Sequence, residues 1–163
     1  MSVKATNTGS NQTFDDASAS NHTITVAGDT TTSTFSPYRH GGYSAYFTTS
    51  GSTSGSGGTG QCIQSDLTSE LTLDTNDFTI SCWVKKSHPT NRQVVMGQIS
   101  SAGSNEDGFE FDGTQIRFYS YVGGSFVFNI TTNSRYRDVN GWYHLVAVYD
   151  SPQATASNRA KVF

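Results

Sequence analysis

This chain is short of charge. Asp, Glu, Lys and Arg make up 14% of its 163 residues, and the net charge is −3. The nearest thing to a basic cluster, Arg135-Tyr136-Arg137, runs straight into Asp138. Nothing there could track a phosphate backbone, so no nucleic-acid partner is expected. Long apolar runs are missing too. None approaches the ~20 residues that span a bilayer, so no membrane insertion is expected. The opening MSVKATNTGSNQTF lacks the apolar centre of a secretory signal, and the reading is synthesis in a cytosol. On that reading the N-x-S/T sequons at Asn11, Asn21 and Asn129 carry no meaning. Cysteine is limited to Cys62 and Cys82, with no CxxC and no His at ligand spacing. The expectation is two reduced, small, buried side chains; a disulfide would need an oxidising compartment. No apolar period of 3.6 residues runs to helical length.

What fills the chain instead is Ser, Thr, Gly and Asn, with 12% aromatics. Enough apolar surface remains to fold, and the composition favours strands joined by polar turns. Alternation recurs in HTITV (His22–Val26), which ends at the turn Ala27-Gly28-Asp29, and in YSAYF (Tyr43–Phe47). Cys62-Ile63 and Leu67–Leu73 are weaker candidates. In DFTISCWVKK (Asp77–Lys86), Phe78, Ile80, Cys82 and Val84 fall on one face, and Pro89 closes the segment;. RQVVMGQI (Arg92–Ile99), GFEFD (Gly108–Asp112), QIRFYSY (Gln115–Tyr121) and SFVFNI (Ser125–Ile130) follow, with hairpin signals at Asp112-Gly113 and Gly123-Gly124;. GWYHLVAVYD (Gly141–Asp150) is apolar on both faces, which predicts a central strand covered on both sides. RAKVF (Arg159–Phe163) begins a further strand. Turn spacing fits an all-β, two-sheet antiparallel sandwich.

Four segments carry a resemblance. RDVNGWYHLVAVYDSPQATASNRAKVF (Arg137–Phe163) and DFTISCWVK (Asp77–Lys85) resemble the laminin G-like, concanavalin A-like lectin/glucanase jelly-roll family. More narrowly, they are similar to its versions in virion structural proteins of tailed phages, marine cyanophages especially. NQTFDDASASNHTITVAGDTTTSTFSPY (residues 11–38) is similar to the lead-in of such proteins, and GGYSAYF (residues 41–47) to the strand after it. The resemblance implies a jelly roll. It leaves activity open, because the fold hosts many chemistries. Two departures stand out. The Gly/Ser stretch after YSAYF is longer than the family's turn, and the family continues past the position of Phe163 with more strands. The expectation is one domain over residues 1–163 lacking its last strands, with 1–36 as a lead-in. Residues 49–61 (TSGSTSGSGGTGQ) would be an internal loop, since lengthening a surface loop costs little closure entropy;.

Several residues invite chemistry. His144 opens the strongest strand, but no HExxH or carboxylate cluster accompanies it. A core or second-layer His held by a carbonyl is expected. Glu106, Glu110 and Asp112 share one face of NEDGFEFD, as acid and nucleophile do in lectin-fold glycosidases;. Gly108 and Phe109 interrupt the family's Glu-x-Asp-x-Glu run, so a solvated hairpin face is expected and no enzyme. Arg117, Tyr119 and Tyr121 alternate opposite Ile116 and Phe118. They are candidates for sugar stacking or a protein interface, and equally for packing under the N-terminal segment. Asp77, Asp107, Asp138 and Asp150 sit at strand ends, where laminin G-like domains bind calcium. No calcium loop motif is present, so no cofactor is expected and calcium is left open. The strand Arg159, Ala160, Lys161, Val162, Phe163 presents an edge for pairing with another copy. Together these readings predict a virion structural protein partnered by copies of itself, other virion proteins and host-surface glycans. A carbohydrate-binding module is the alternative, and a glycoside hydrolase the third reading.

Overall fold

Strands form where alternation gives one face something to bury, since successive side chains point to opposite sides. The computed structural model describes residues 3–5, 12–35, 42–47, 61–65, 77–99 and 105–163. The chain divides into two units, residues 1–68 and 69–163. The expected Gly/Ser loop lies, but for Gln61, outside the described residues, as does Leu67–Leu73.

The first unit is built from pairs of short antiparallel strands. β1 (Val3–Ala5) pairs with β2 (Phe14–Asp16), β3 (Thr25–Ala27) with β6 (Cys62–Gln64), and β4 (Thr31–Ser33) with β5 (Ser44–Tyr46). Phe14 is its buried apolar anchor. Asp16, also buried, accepts hydrogen bonds from the Ser18 amide at 2.9 Å, the Ser18 hydroxyl at 2.7 Å and the His22 amide at 3.0 Å. That side chain therefore fixes the bend at 16–22. β1, β2 and β4 are too short and too polar to show in the alternation.

The second unit holds two sheets. β7 (Phe78–Val84), β12 (Tyr143–Tyr149) and β13 (Ala160–Val162) form a three-stranded sheet in the order β13-β12-β7. β8 (Gln93–Ile99), β9 (Asn105–Asp112), β10 (Gln115–Val122) and β11 (Ser125–Thr131) form a four-stranded sheet in the order β11-β10-β9-β8. All pairings are antiparallel. Both hairpin signals are realised: Gly113 has φ 61°, and Gly123 and Gly124 have φ 57° and 90°. Phe109, Phe111, Ile116 and Phe118 from one sheet are buried with Leu145, Ala147, Tyr149 and Ala160 from the other. The Tyr149 ring stacks on Phe78 at 5.6 Å and on Phe128 at 5.3 Å. Cys82 packs against this core, and burial pushes its thiol up to about 11. The fold is the all-β antiparallel sandwich the sequence predicts. One expectation fails: β12 is central, but its outward positions are not covered. Leu145, Ala147 and Tyr149 are buried, while Val146 and Val148 are partly open and His144 is exposed.

A buried cation ties the loops at one end of this unit together. Lys86 is 1% exposed. Its ammonium donates to the carbonyls of Pro89 at 3.0 Å, Gly113 at 2.8 Å and Tyr136 at 3.0 Å, and lies 4.7 Å from the centre of the Phe111 ring. No carboxylate is among these contacts, and desolvation lowers its pKa. Three carbonyl dipoles and a π face stand in for the lost water. The segment after β7, the β9–β10 turn and the loop after β11 are thereby pinned to one point. Lys86→Met removes the donor and leaves three carbonyls unsatisfied. It should destabilise the fold by about 3 kcal/mol or more, read as a lower urea midpoint at unchanged slope.

Candidate functional site

The outward face of the four-stranded sheet gathers two of the groups singled out in the sequence, Glu106, Glu110 and Asp112 with Arg117, Tyr119 and Tyr121. Pairing sets Glu110 opposite Arg117, Gly108 opposite Tyr119 and Glu106 opposite Tyr121 on β9 and β10. Phe126 on β11 lies opposite Tyr121, beyond a bulge that turns Val127 out to solvent. Arg92, just before β8, reaches across this face. Its Nε donates to Glu110 Oε2 at 2.8 Å, and its Nη2 lies 2.8 Å from the same oxygen and 3.0 Å from Glu106 Oε1. The same Nη2 donates to the Tyr119 hydroxyl at 3.0 Å, and that hydroxyl donates to Glu106 Oε1. Arg117 closes the other side. Its Nη1 lies 3.6 Å from Glu110 Oε1 and 3.9 Å from Asp112 Oδ2, and its Nε donates to Asn129 Oδ1 at 3.0 Å. The guanidinium lies over the rings of Tyr119, at 4.2 Å, and Phe126, at 5.2 Å.

Burial grades across this network. The Glu110 side chain is fully buried, Arg117 is 20% exposed and Arg92 is 52% exposed. A buried carboxylate is tolerated only when its charge is matched nearby, and here two guanidiniums match it. The hydrogen bond from Tyr119, and then Arg92, hold the Glu106 carboxyl below its ordinary range. Burial, and then Glu106, push the Tyr119 phenol up.

Tyr119 differs from its two neighbours on this face. Arg117 and Tyr121 keep partial exposure, but Tyr119 is only 3% exposed. Its side chain crowds Gly108, where an added methyl would come within 2.5–2.7 Å of it. It is therefore not free to stack on a ligand. Arg92, which organises the whole face, gave no signal in the sequence beyond opening a strand.

The carboxylates of this face are engaged in ion pairs. A retaining glycosidase pair stands about 5–5.5 Å apart with the scissile bond between. Glu106 and Glu110 converge, but a guanidinium nitrogen occupies the space between them. The general acid of such a pair needs a raised pKa, whereas Glu106 is lowered.

The remaining candidates are dispersed. Asp77 Oδ1 accepts the Ser151 amide and hydroxyl, each at 2.8 Å, Asp138 accepts the Asn140 amide at 2.7 Å, and Asp107 accepts from Gln98 at 2.7 Å. Asp150 accepts from Gln153 at 2.6 Å. Among the described residues no group of His, Cys, Asp and Glu is arranged to hold a metal ion. Ala160–Val162 pair with β12, and Phe163 exchanges both backbone hydrogen bonds with Val146 at 2.8 and 3.0 Å. His144 corrects another expectation. It is not a core residue held by a carbonyl: its Nε2 lies 3.0 Å from the Ser81 hydroxyl, and its ring stacks on Trp83.

With this geometry in view, the relationship to known proteins is direct. A family model described as the concanavalin A-like lectin/glucanases superfamily, of laminin G type, matches residues 56–158. The chain belongs to that family. No curated protein and no solved structure matches it.

Two substitutions test the network. Glu110→Gln should cost about 1–3 kcal/mol in urea unfolding, because both arginines lose their buried partner. The stability that Glu106 contributes is present above the ordinary carboxylate pKa of about 4.3 and is lost as pH falls through its lowered native value. Glu106→Gln should therefore flatten the acid limb of a stability profile measured by thermal melts.

Proposed function

We propose that this chain is a non-catalytic structural module of a tailed-phage virion. It would be a lectin-like sandwich at the particle surface, contacting copies of itself and other virion proteins, with adhesion to host-surface glycans as a second duty. The observation that carries the non-catalytic reading is Arg92 filling the space between Glu106 and Glu110. The reading needs no cofactor. The phage setting rests on the likeness of the lead-in, GGYSAYF and the Arg137–Phe163 segment to virion structural proteins.

The assembly reading is supported by the margin of the three-stranded sheet. Phe163 and Arg159 bond to β12 through Val146 and Asp150. Alternation then turns the amides of Ala160 and Val162 to the opposite edge of β13. An edge of this kind is a template for strand pairing between copies. Exposed Val122, Phe126 and Val127 give the end of the other sheet an apolar patch suited to a protein contact;.

Light scattering on the purified 163-residue chain checks this reading. A discrete oligomer is expected, and Val162→Pro, which removes the outward amide together with a side chain packed on the core, should shift a still-folded chain toward monomer, with a circular dichroism spectrum checking the fold. A chain that stays monomeric at all concentrations overturns the assembly reading. Turnover of any glycan, abolished by Glu110→Gln, overturns the non-catalytic one.

A further inference from the structure

Asn140 is exposed and stands with Gly141 in the bend that leads into β12, just ahead of the Tyr143–Val84 pair. The chain has ten asparagines, and Asn140 alone precedes a glycine. The backbone of Asn140 is held on both sides. Its amide donates to Asp138 Oδ1 at 2.7 Å, and its carbonyl accepts from Lys85 Nζ at 3.0 Å. Tyr143 closes the bend by donating its hydroxyl to the Asp138 carbonyl at 2.9 Å. Neither bond to Asn140 involves its side-chain amide.

We propose that Asn140 is a self-modifying site, at which the folded chain converts this asparagine to isoaspartate and aspartate with water as the only co-reactant. The Gly141 nitrogen gives its proton to solvent and attacks Cγ of Asn140. A bond forms between that nitrogen and Cγ. The Cγ–Nδ2 bond breaks, and the nitrogen takes up a solvent proton and leaves as ammonia. Water then opens the five-membered imide. Opening at Cγ gives aspartate on the ordinary backbone. Opening at the former main-chain carbonyl gives isoaspartate, whose backbone runs through the side chain and is one carbon longer.

Three features of the bend favour the attack. Gly141 has no β-carbon to shield its nitrogen, and a methyl there would come within 2.8 Å of Asp138 Oδ2. The residue also lies outside the paired part of β12. Lys85 supplies the electrostatics. When the Gly141 nitrogen loses its proton, the charge is shared with the Asn140 carbonyl oxygen, and the Lys85 ammonium already donates to that oxygen. A cation placed where charge develops lowers the barrier to reaching it. Asp138 stands at the same end of the sheet, but its carboxylate holds the Asn140 amide, not the carbonyl. The product adds a second carboxylate beside Asp138. In its isoaspartate form it also lengthens the chain between Asp138 and Tyr143, the two ends of the bond that closes the bend. The inference is independent of the assembly reading.

The test is incubation of the full chain in warm, mildly alkaline buffer, followed by peptide mapping with fragmentation that separates isoaspartate from aspartate. Asn140 should convert faster than any other asparagine, with Asn133 and Asn129 as internal references, and isoaspartate should exceed aspartate. Asn140→Gln should block the change, because its ring would be larger and closes far more slowly. Lys85→Met should slow conversion several-fold in the native chain, while Lys85→Arg keeps most of the rate. In urea, where the contact is gone, the Lys85→Met chain and the parent should convert alike. If Lys85→Met does not fold, the native and urea-unfolded parent carry the test. An Asn140 that survives in the native parent while it converts in urea overturns the inference. So does a native rate no higher than that of Asn133, or one unchanged in a folded Lys85→Met chain.

Discussion

The ammonium of Lys86 is the point from which the rest of the second unit is hung. One side chain, with no counter-ion among its contacts, holds three separate loops by their carbonyls. The segment from residue 87 to 92 is then clipped further by Gln93, which accepts from the Ser87 amide at 2.9 Å and donates to the His88 carbonyl at 2.8 Å. Arg92 leaves this fixed segment in a set direction, and its reach across β9 to two carboxylates and a phenol follows from that. A charge buried without a carboxylate has only fixed dipoles to replace water, so the loops cannot drift without exposing the cost.

The two outward faces of the sandwich divide the work. On the four-stranded sheet, three carboxylates meet two guanidiniums and lock Tyr119 between them. Its polar groups are spent on each other, which suits a rigid surface better than a reactive one. On the three-stranded sheet the polar and aromatic groups of Trp83, His144 and Ser81 are arranged but open.

Much of the sandwich was legible because its strands alternate against a single core. Phe78, Ile80, Cys82 and Val84 point inward as their spacing requires, and both glycine turns fall where the Asp112-Gly113 and Gly123-Gly124 pairs predict them. What could not be read is what lies over each outward face. Period two places Tyr119 opposite Phe118 but says nothing about an arginine arriving from another strand to bury it. Lys86 follows another lysine at the end of a strand, where solvent is the ordinary surrounding, and only the convergence of three distant loops removes it from water. β1, β2 and β4 span three residues each and, unlike the equally short β3 and β5, have no alternating flanks to extend a period.

Gly108 and Tyr119 bear on how this face could change over generations. The ring fills the volume that any side chain at 108 would need. An acidic residue placed at 108 would restore an uninterrupted carboxylate row from 106 to 112, yet it would collide with the ring before it could take part in anything. A smaller residue at 119 alone would leave a hollow and strip Glu106 of one of its two donors. Each single step is worse than either end, so the two positions are expected to vary together or not at all. The pair acts as a ratchet, holding this face in its present form until both positions change.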